Sequence, residues 1–580
     1  MLGRKRERQR ENMAFSSSVV NGERAVVVLF VCRVLFSLPF SLLCHGLNLA
    51  LLSLFALLLD VRADISAPSL PQFNTRPGAS SGILLGAVTL PAVMISKLIQ
   101  LTRAHSLHQI ELQELEHMTM QYWATSASCF GVLMFICIVM WRAPNATHRH
   151  GSFTVWDAIS LFCIISIAAT CCVSLATISL TGCNIALKLI WVLCHGLVAV
   201  KLLQQLVNTF PSCASIGEVL LVSAGLVLYF GDMLACTIAK VCRHLISTKI
   251  ISVQYGIRRS EISIILQGLL IGLLLFPKFF KFVLHVWERS LRMGHSEAGT
   301  SNDMKRSLLF FASFGFILIL IVPSWMQFVQ DFHVHPVLWV LKFVFSEPFK
   351  RLSLCIYWLA LIYASVLRFY NISKNSKIER ILLRKYYHLL AVLMFVPALI
   401  FQPKFLDLAF GAALAVFLAL EIMRVWKIWP LGQLIHQFMN AFTDHRDSDL
   451  LIVSHFSLLL GCAFPIWMSS GFNDRPLAPF AGILSLGIGD TMASMVGYKY
   501  GVLRWSKTGK KTVEGTAAGI TSVLAACSVL LPLLASTGYI FTEHWFSLIL
   551  AVTVSGLLEA YTTQLDNAFI PLIFYSLLCL

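Results

Sequence analysis

Apolar stretches of membrane-crossing length recur along almost the whole of this 580-residue chain. A helix needs about 20 apolar residues to cross ~30 Å of hydrocarbon. Such runs occupy 80–101, 122–141, 153–174, 185–206, 217–240, 262–286, 307–329, 352–370, 386–401, 404–422, 450–470, 478–498, 514–535, 544–562 and 567–580. The run 25–59 adds one or two more helices, interrupted by Arg33 and Pro39, and is too long for a cleavable signal core. No segment alternates with the ~10-residue strand pattern of a membrane barrel. The expectation is therefore an all-α, polytopic integral membrane protein of about 13 to 16 helices, since helices satisfy their own backbone in lipid. Composition agrees: 13% of residues are charged, 57% are hydrophobic and mean hydropathy is +0.76, which excludes a water-soluble globule.

Lys and Arg number 45 against 29 Asp and Glu, a formal charge of +16. The cations sit in short connectors between apolar runs, as cytosolic loops facing anionic headgroups require. No basic stripe interleaved with aromatics is present, so no nucleic-acid partner is expected. The 16 cysteines lie mostly within apolar runs, without CxxC pairs or zinc-like spacing, and read as small packing residues.

Three regions follow. Residues 1–24 form a basic tail (Arg4, Lys5, Arg6, Arg8, Arg10) that favours a cytosolic start. Residues 25–370 form a multi-helix membrane region in which polar residues are scattered, suited to a scaffold that accommodates lipid. In 371–580 the polar residues gather. Every connector is too short for a soluble domain, so chemistry must fall to loops and helix ends at the membrane surface. Of the sequons, Asn145 is modified only if lumenal, and Asn371 lies in a basic stretch that argues cytosolic.

Polar residues at membrane depth are costly and mark function. Asp490 follows Gly487 and Gly489 within an apolar run, and Gly489, Ala493, Gly497 and Gly501 then place small residues every four positions, a face along which another backbone can approach. Ser494 lies one turn from Asp490. The loop from Arg504 to Thr512, with Lys507, Lys510 and Lys511 beside Gly509, suits a polyphosphate, and the next helix start, with Glu514 and Gly515, offers N–H donors. An ordinary positive-inside loop is the competing reading. Asp444, Asp447 and Asp449 with Arg446 supply oxygen ligands suited to Mg²⁺ or Ca²⁺, or simply a solvated charged loop. Glu559, Thr563 and Asp566, spaced i, i+4 and i+7, are expected on one helix face turned to a polar interior. His388 with Lys385 is either part of this chemistry or a pair snorkelling at a helix start.

Familiar alternatives fail. Gly509-Lys510 lacks the earlier P-loop glycine, Arg504 standing there, and Lys511 fills the hydroxyl position. Gly487-Ile488-Gly489 has Met492 where a dinucleotide fingerprint needs its third glycine. HExxH and GxSxG are absent.

The ordered set Arg384-Lys385-Tyr386-Tyr387-His388, Asp444-His445-Arg446-Asp447-Ser448, Gly487 to Ser494, Lys510 to Thr516 and Leu557 to Asn567 resembles the dolichol kinases. It is more distantly similar to phytol kinases and phosphatidate cytidylyltransferases. Upstream, Pro211-Ser212-Cys213 with Gly217-Glu218 and Pro336 to Trp339 also resemble the eukaryotic members. The resemblance implies a multi-pass enzyme of the endoplasmic-reticulum membrane, its site facing the cytosol. It would transfer the γ-phosphoryl of CTP to dolichol with a divalent cation, supporting protein glycosylation. It also implies that Gly489-Asp490 through Lys510-Lys511 and Glu514 form the cytidine-nucleotide site.

The combined expectation places Asp490 on the metal, with Asp444, Asp449 or Asp566 completing the shell. Gly487, Gly489, Thr491, Lys510, Lys511, Thr512, Gly515 and Arg446 would surround the nucleotide, and Glu514, then Asp566, would accept the alcohol proton. A CDP-lipid synthase is the alternative enzyme. A cation-coupled transporter using Glu559 and Asp566 is the alternative class; the lack of an internal repeat counts against it.

Overall fold

The computed structural model describes residues 21–65, 76, 79–142, 182–245, 259–293, 301–330, 332–375, 380–440, 452–505, 511–536 and 545–580. Among these the secondary structure is helical, with one isolated bridge between Arg504 and Thr512. Among the described residues ten helices are long and apolar enough to cross a membrane, and five shorter apolar ones accompany them.

In chain order the helices are α1 (Gly22–Phe36), α2 (Leu43–Ile65), α3 (Ile83–Ser106), α4 (Leu112–Arg142), α5 (Gly182–Thr209), α6 (Ile216–Leu245), α7 (Glu261–Met293), α8 (Ser301–Gly315), α9 (Val322–Val329) and α10 (Pro336–Ser346). They continue as α11 (Pro348–Asn375), α12 (Arg380–Phe401), α13 (Pro403–Trp426), α14 (Gly432–Asn440), α15 (Val453–Ser469), α16 (Thr491–Tyr500), α17 (Val513–Ser536), α18 (Trp545–Tyr561) and α19 (Asp566–Leu578). A π-helical stretch, Phe316–Ile321, joins α8 to α9, and a second, Ile483–Asp490, leads into α16. The expected run 25–59 resolves into two helices that part at Ser37 and Pro39, because proline cannot donate to a continuing helix. The expected run 153–174 lies outside the described residues.

By packing, the chain falls into two units made of interleaved segments, whereas the division expected from the sequence separates regions by function. One unit comprises Met1–Gly231, Ile378–Val392 and Phe464–Leu580. Its centre is α3, whose apolar length is buried throughout, as a helix hydrophobic on all sides must be. Helices α1, α2, α4 and α19 pack around α3, and Ser96 and Ser576 share a hydrogen bond of 2.7 Å within that packing. Glycines permit the tightest crossings: a Cβ on Gly86 would lie 2.3 Å from the Gly217 carbonyl oxygen, and one on Gly131 2.9 Å from that of Gly196.

The other unit comprises Asp232–Lys377 and Leu393–Ala463. Phe276, Phe280, Phe310 and Trp426 stack there edge-on and tilted, with Phe280 and Trp426 centroids 4.9 Å apart. Arg424 and Glu421 pair there at membrane depth: Arg424 is bidentate to Glu421 at 2.9 and 2.7 Å, and Glu421 also accepts the Ile452 N–H at 3.0 Å.

Candidate active site

The first unit assembles the candidate site from five segments. The π-helical stretch Ile483–Asp490 delivers Asp490 to the start of α16, buried. Such bulges recur at functional positions because they re-aim side chains. Gly487 makes the approach to α12 possible, since a Cβ there would lie 2.3 Å from Val392 Cγ2 and 3.3 Å from the His388 carbonyl oxygen. Lys385 and His388, three residues apart on α12, therefore share the face that meets Asp490. Lys385 Nζ pairs with Asp490 Oδ2, and His388 Nδ1 stands 3.0 Å from the same oxygen. Ser494 Oγ donates to Asp490 Oδ1 at 3.4 Å, and Thr491 Oγ1 donates to the Lys385 carbonyl at 3.3 Å.

Two more carboxylates and a second lysine complete the group. Lys385 interacts electrostatically with Glu559 and Asp566 as well as with Asp490. Glu559 interacts with Asp490, Lys511 and Asp566, and Lys511 Nζ donates to the Glu559 carbonyl oxygen. Asp490, Lys511 and Asp566, expected from the sequence, thus converge with Lys385, His388 and Glu559. The tract holding Lys385 and His388 is legible as polar at a helix start, but its pairing with Asp490, about a hundred positions on, is not.

The expected acidic face is corrected in one respect. Glu559, Thr563 and Asp566 do not share a helix: α18 stops at Tyr561 and α19 starts at Asp566. Thr563 faces Ser80 instead, accepting its N–H at 3.0 Å. Glu559 and Asp566, on either side of the bend at 562–565, both still interact electrostatically with Lys385.

The small-residue stripe does what its spacing suggests. A Cβ on Gly515 would lie 2.5 Å from the Ala493 carbonyl oxygen and one on Gly519 3.0 Å from that of Gly489, so α16 and α17 cross in close contact. Gly489 and Gly515 are packing glycines in this arrangement. Thr512 caps α17, its Oγ1 accepting the Gly515 N–H at 3.2 Å. Glu514 accepts the Leu503 N–H at 3.0 and 3.2 Å. The described residues that flank 506–510 pair with each other, Val513 N–H to Leu503 O at 2.8 Å, and Trp505 is anchored to α17 through Thr516 Oγ1 at 2.9 Å. The Trp505 ring lies 5.1 Å from that of Tyr561, so it also rests on the end of α18. Lys507 and Lys510 and the whole acidic loop with Asp444, Arg446, Asp447 and Asp449 lie outside the described residues, as does Asn145.

Among the described residues no group of three His, Cys, Asp or Glu side chains could hold a metal ion. Asp490 matches a different arrangement, in which Mg²⁺ takes one or two carboxylates and fills its remaining positions with substrate phosphates and water. Its carboxylate is held by an amine, an imidazole and a hydroxyl, partners that can turn to phosphate oxygens. In chemical terms the group offers two flexible cations, a buried carboxylate and two further carboxylates at one end of several apolar helices.

The profile described as dolichol kinase matches residues 160–466, more than half of the chain. The chain belongs to the dolichol kinase family. It is 65% identical over 565 residues to a dolichol kinase named EVAN from Arabidopsis thaliana, covering 97% of this chain and 99% of that protein. It is 33% identical over 399 residues to the dolichol kinase of Homo sapiens, covering 66% and 68% of the two chains. The dolichol kinase of Saccharomyces cerevisiae is 32% identical over 243 residues, 41% of this chain and 43% of that one. No solved structure matches. Lys385 and His388 fall within the stretch matched by the family profile, and Asp490, Lys511, Glu559 and Asp566 fall beyond it.

Proposed function

We propose that this kinase transfers the γ-phosphoryl group of CTP to the terminal hydroxyl of dolichol, giving dolichyl phosphate and CDP, at the group formed by Lys385, His388, Asp490, Lys511, Glu559 and Asp566. The observation that carries the reading is the meeting of these six residues at the ends of apolar helices, where a nucleotide from water and an alcohol from lipid can both arrive. Phosphoryl transfer asks little covalent work of a protein; it requires alignment and charge neutralisation. Lys385 and Lys511 are placed to meet the phosphate oxygens, joined by Lys510 on sequence grounds. A divalent cation, Mg²⁺ or Ca²⁺, would be held by Asp490, with Asp444 and Asp449 as candidates from the acidic loop, and would neutralise the β- and γ-oxygens.

Asp566 serves best as the group that accepts the alcohol proton, because Glu514 is engaged with Leu503. His388 and Ser494 keep the Asp490 carboxylate aimed. The polyprenol tail lies among the helices with its hydroxyl at headgroup level. The basic tail and connectors favour an endoplasmic-reticulum orientation with this end toward the cytosol.

The test supplies CTP labelled at the γ-phosphate, with a short-chain dolichol, to membranes containing the chain. Label should pass to the lipid as a phosphomonoester, with CDP released. A CDP-lipid with free pyrophosphate would instead make the chain a cytidylyltransferase. Solute flux without nucleotide would make it a transporter. Wild-type turnover by Asp490→Asn would displace the site.

A further inference from the structure

The segment 562–565 joins the helix carrying Glu559 to the helix that begins with Asp566, and residues from the far N-terminal part of the chain hold it. Leu565 N–H donates to Glu218 Oε1 at 2.7 Å. Arg76 Nη2 donates to the Thr563 carbonyl at 2.9 Å and to Glu218 Oε1 at 2.8 Å. The Gln564 amide donates to Ser80 O at 3.0 Å and Ser80 Oγ at 2.8 Å, while its oxygen accepts from Ser215 Oγ. Thr563 N–H points to Glu23 Oε2 at 3.4 Å. Two main-chain N–H groups and one carbonyl of a four-residue bend are thus met by side chains up to 540 positions away.

The clasp is built closely. Glu218 is 2% exposed, Gln564 2% and Arg76 9%. Ser215 and Glu218 form a reciprocal capping box at the start of α6, with Ser215 N–H to Glu218 Oε2 at 2.8 Å and Glu218 N–H to Ser215 Oγ at 3.1 Å. Gly82 takes φ +62°, and a Cβ there would lie 2.5 Å from Gln564 Cδ, so only glycine lets the chain pass so near. A buried ion pair is weak evidence of stabilisation, since desolvation offsets its attraction. Its placement on the turn between two carboxylates of the site points to another use.

We propose that Glu218 and Arg76 are positioning residues for phosphoryl transfer: they fix the bend 562–565 so that Asp566 and Glu559 stay turned to Lys385 and Asp490. The inference rests on the assignment of Asp566 as proton acceptor. It gives the first unit's N-terminal helices a part in the chemistry without any contact to substrate. A displacement of about 1 Å at a reacting group costs on the order of a hundredfold in rate. Removing the Glu218 carboxylate frees Leu565 N–H and Arg76 together and lets the bend shift.

The experiment uses the full-length chain in detergent or proteoliposomes, with CTP and dolichol varied separately. Glu218→Ala should lower kcat about 10- to 100-fold while KM for CTP changes less than about threefold. Glu218→Gln, which keeps an oxygen for Leu565 N–H, should recover most of the loss. The double variant Glu218→Ala/Asp566→Asn should be no slower than Asp566→Asn alone, because residues acting through one another are not additive. Gln564→Ala, which releases the same bend through Ser80 and Ser215, should repeat the pattern if Glu218→Ala fails to accumulate. Full multiplicative loss in the double variant, or normal kcat in Glu218→Ala and Gln564→Ala, overturns the proposal while leaving the site intact. Normal kcat in Asp566→Asn overturns the assignment beneath it.

Discussion

Two buried charge networks in the first unit each centre on an aspartate beside a cation and a serine hydroxyl, and they end up with opposite characters. Around Asp60 the partners are fixed. Arg24 Nε donates to Oδ2 at 2.6 Å, and the Ile83 N–H donates to Oδ1 at 2.9 Å beside the Ser81 hydroxyl. Around Asp490 the partners are side chains alone among the described residues: Lys385, His388 and Ser494. A guanidinium fork and backbone N–H groups cannot leave without stranding a buried carboxylate, whereas an ammonium on a flexible stem can exchange one oxygen for another. The difference separates a network that holds helices together from one whose partners can turn to another oxygen. Glu218 belongs by construction with Asp60, taking two backbone N–H groups and an arginine, yet it borders the Asp490 group through the bend 562–565.

The comparison breaks most sharply at Asp490. Asp490→Asn should lower phosphoryl transfer about 10²- to 10³-fold, the scale of losing one electrostatic stabiliser, while the protein's thermal stability in detergent stays near that of the parent. Asp60→Asn should do the reverse. Breaking a buried pair costs about 3–5 kcal/mol, read as a lower unfolding temperature and reduced accumulation, with the surviving molecules retaining their turnover number. If Asp60→Asn instead lost turnover at normal stability, the two networks would not differ as described.

Smaller effects sharpen the contrast. Lys385→Arg keeps the charge but replaces a rotatable point donor by a rigid fork, and should slow transfer about tenfold with CTP saturating. Glu514→Gln weakens the link to Leu503 and should leave the unfolding temperature near that of the parent and change turnover less than about threefold. A large loss of turnover in that variant would return Glu514 to the chemistry.

Much of this was legible in the residues. The apolar runs gave the helices within a few positions: 80–101 became Ile83–Ser106 and 514–535 became Val513–Ser536. Local signals of this kind depend on periodicity and length, which tertiary contacts do not alter. The four-residue spacing of Gly489, Ala493 and Gly497 correctly announced a close helix crossing, met by Gly515 and Gly519. Asp490 announced itself by its cost at membrane depth.

What failed did so for physical reasons. The i, i+4, i+7 spacing of Glu559, Thr563 and Asp566 assumed a continuous helix, and the bend at 562–565 owes its shape to Arg76 and Glu218, which no local pattern reveals. The partner of Glu514, the Leu503 N–H, was equally hidden, because it depends on Val513 pairing with Leu503. The weight of Lys385 and His388 depended on the π-helical turn that brings Asp490 to them, a feature without a sequence signature.

Lys385 and Lys511 are proposed to face the phosphates of one bound nucleotide. An acyl-phosphate derivative of CTP, which transfers its acyl group to lysines beside the phosphate chain, tests this directly when the acylated positions are mapped by mass spectrometry. The account predicts modification of Lys385 and Lys511 that unlabelled CTP suppresses. Suppressible modification confined to lysines elsewhere in the chain, with both of these left free, would contradict it.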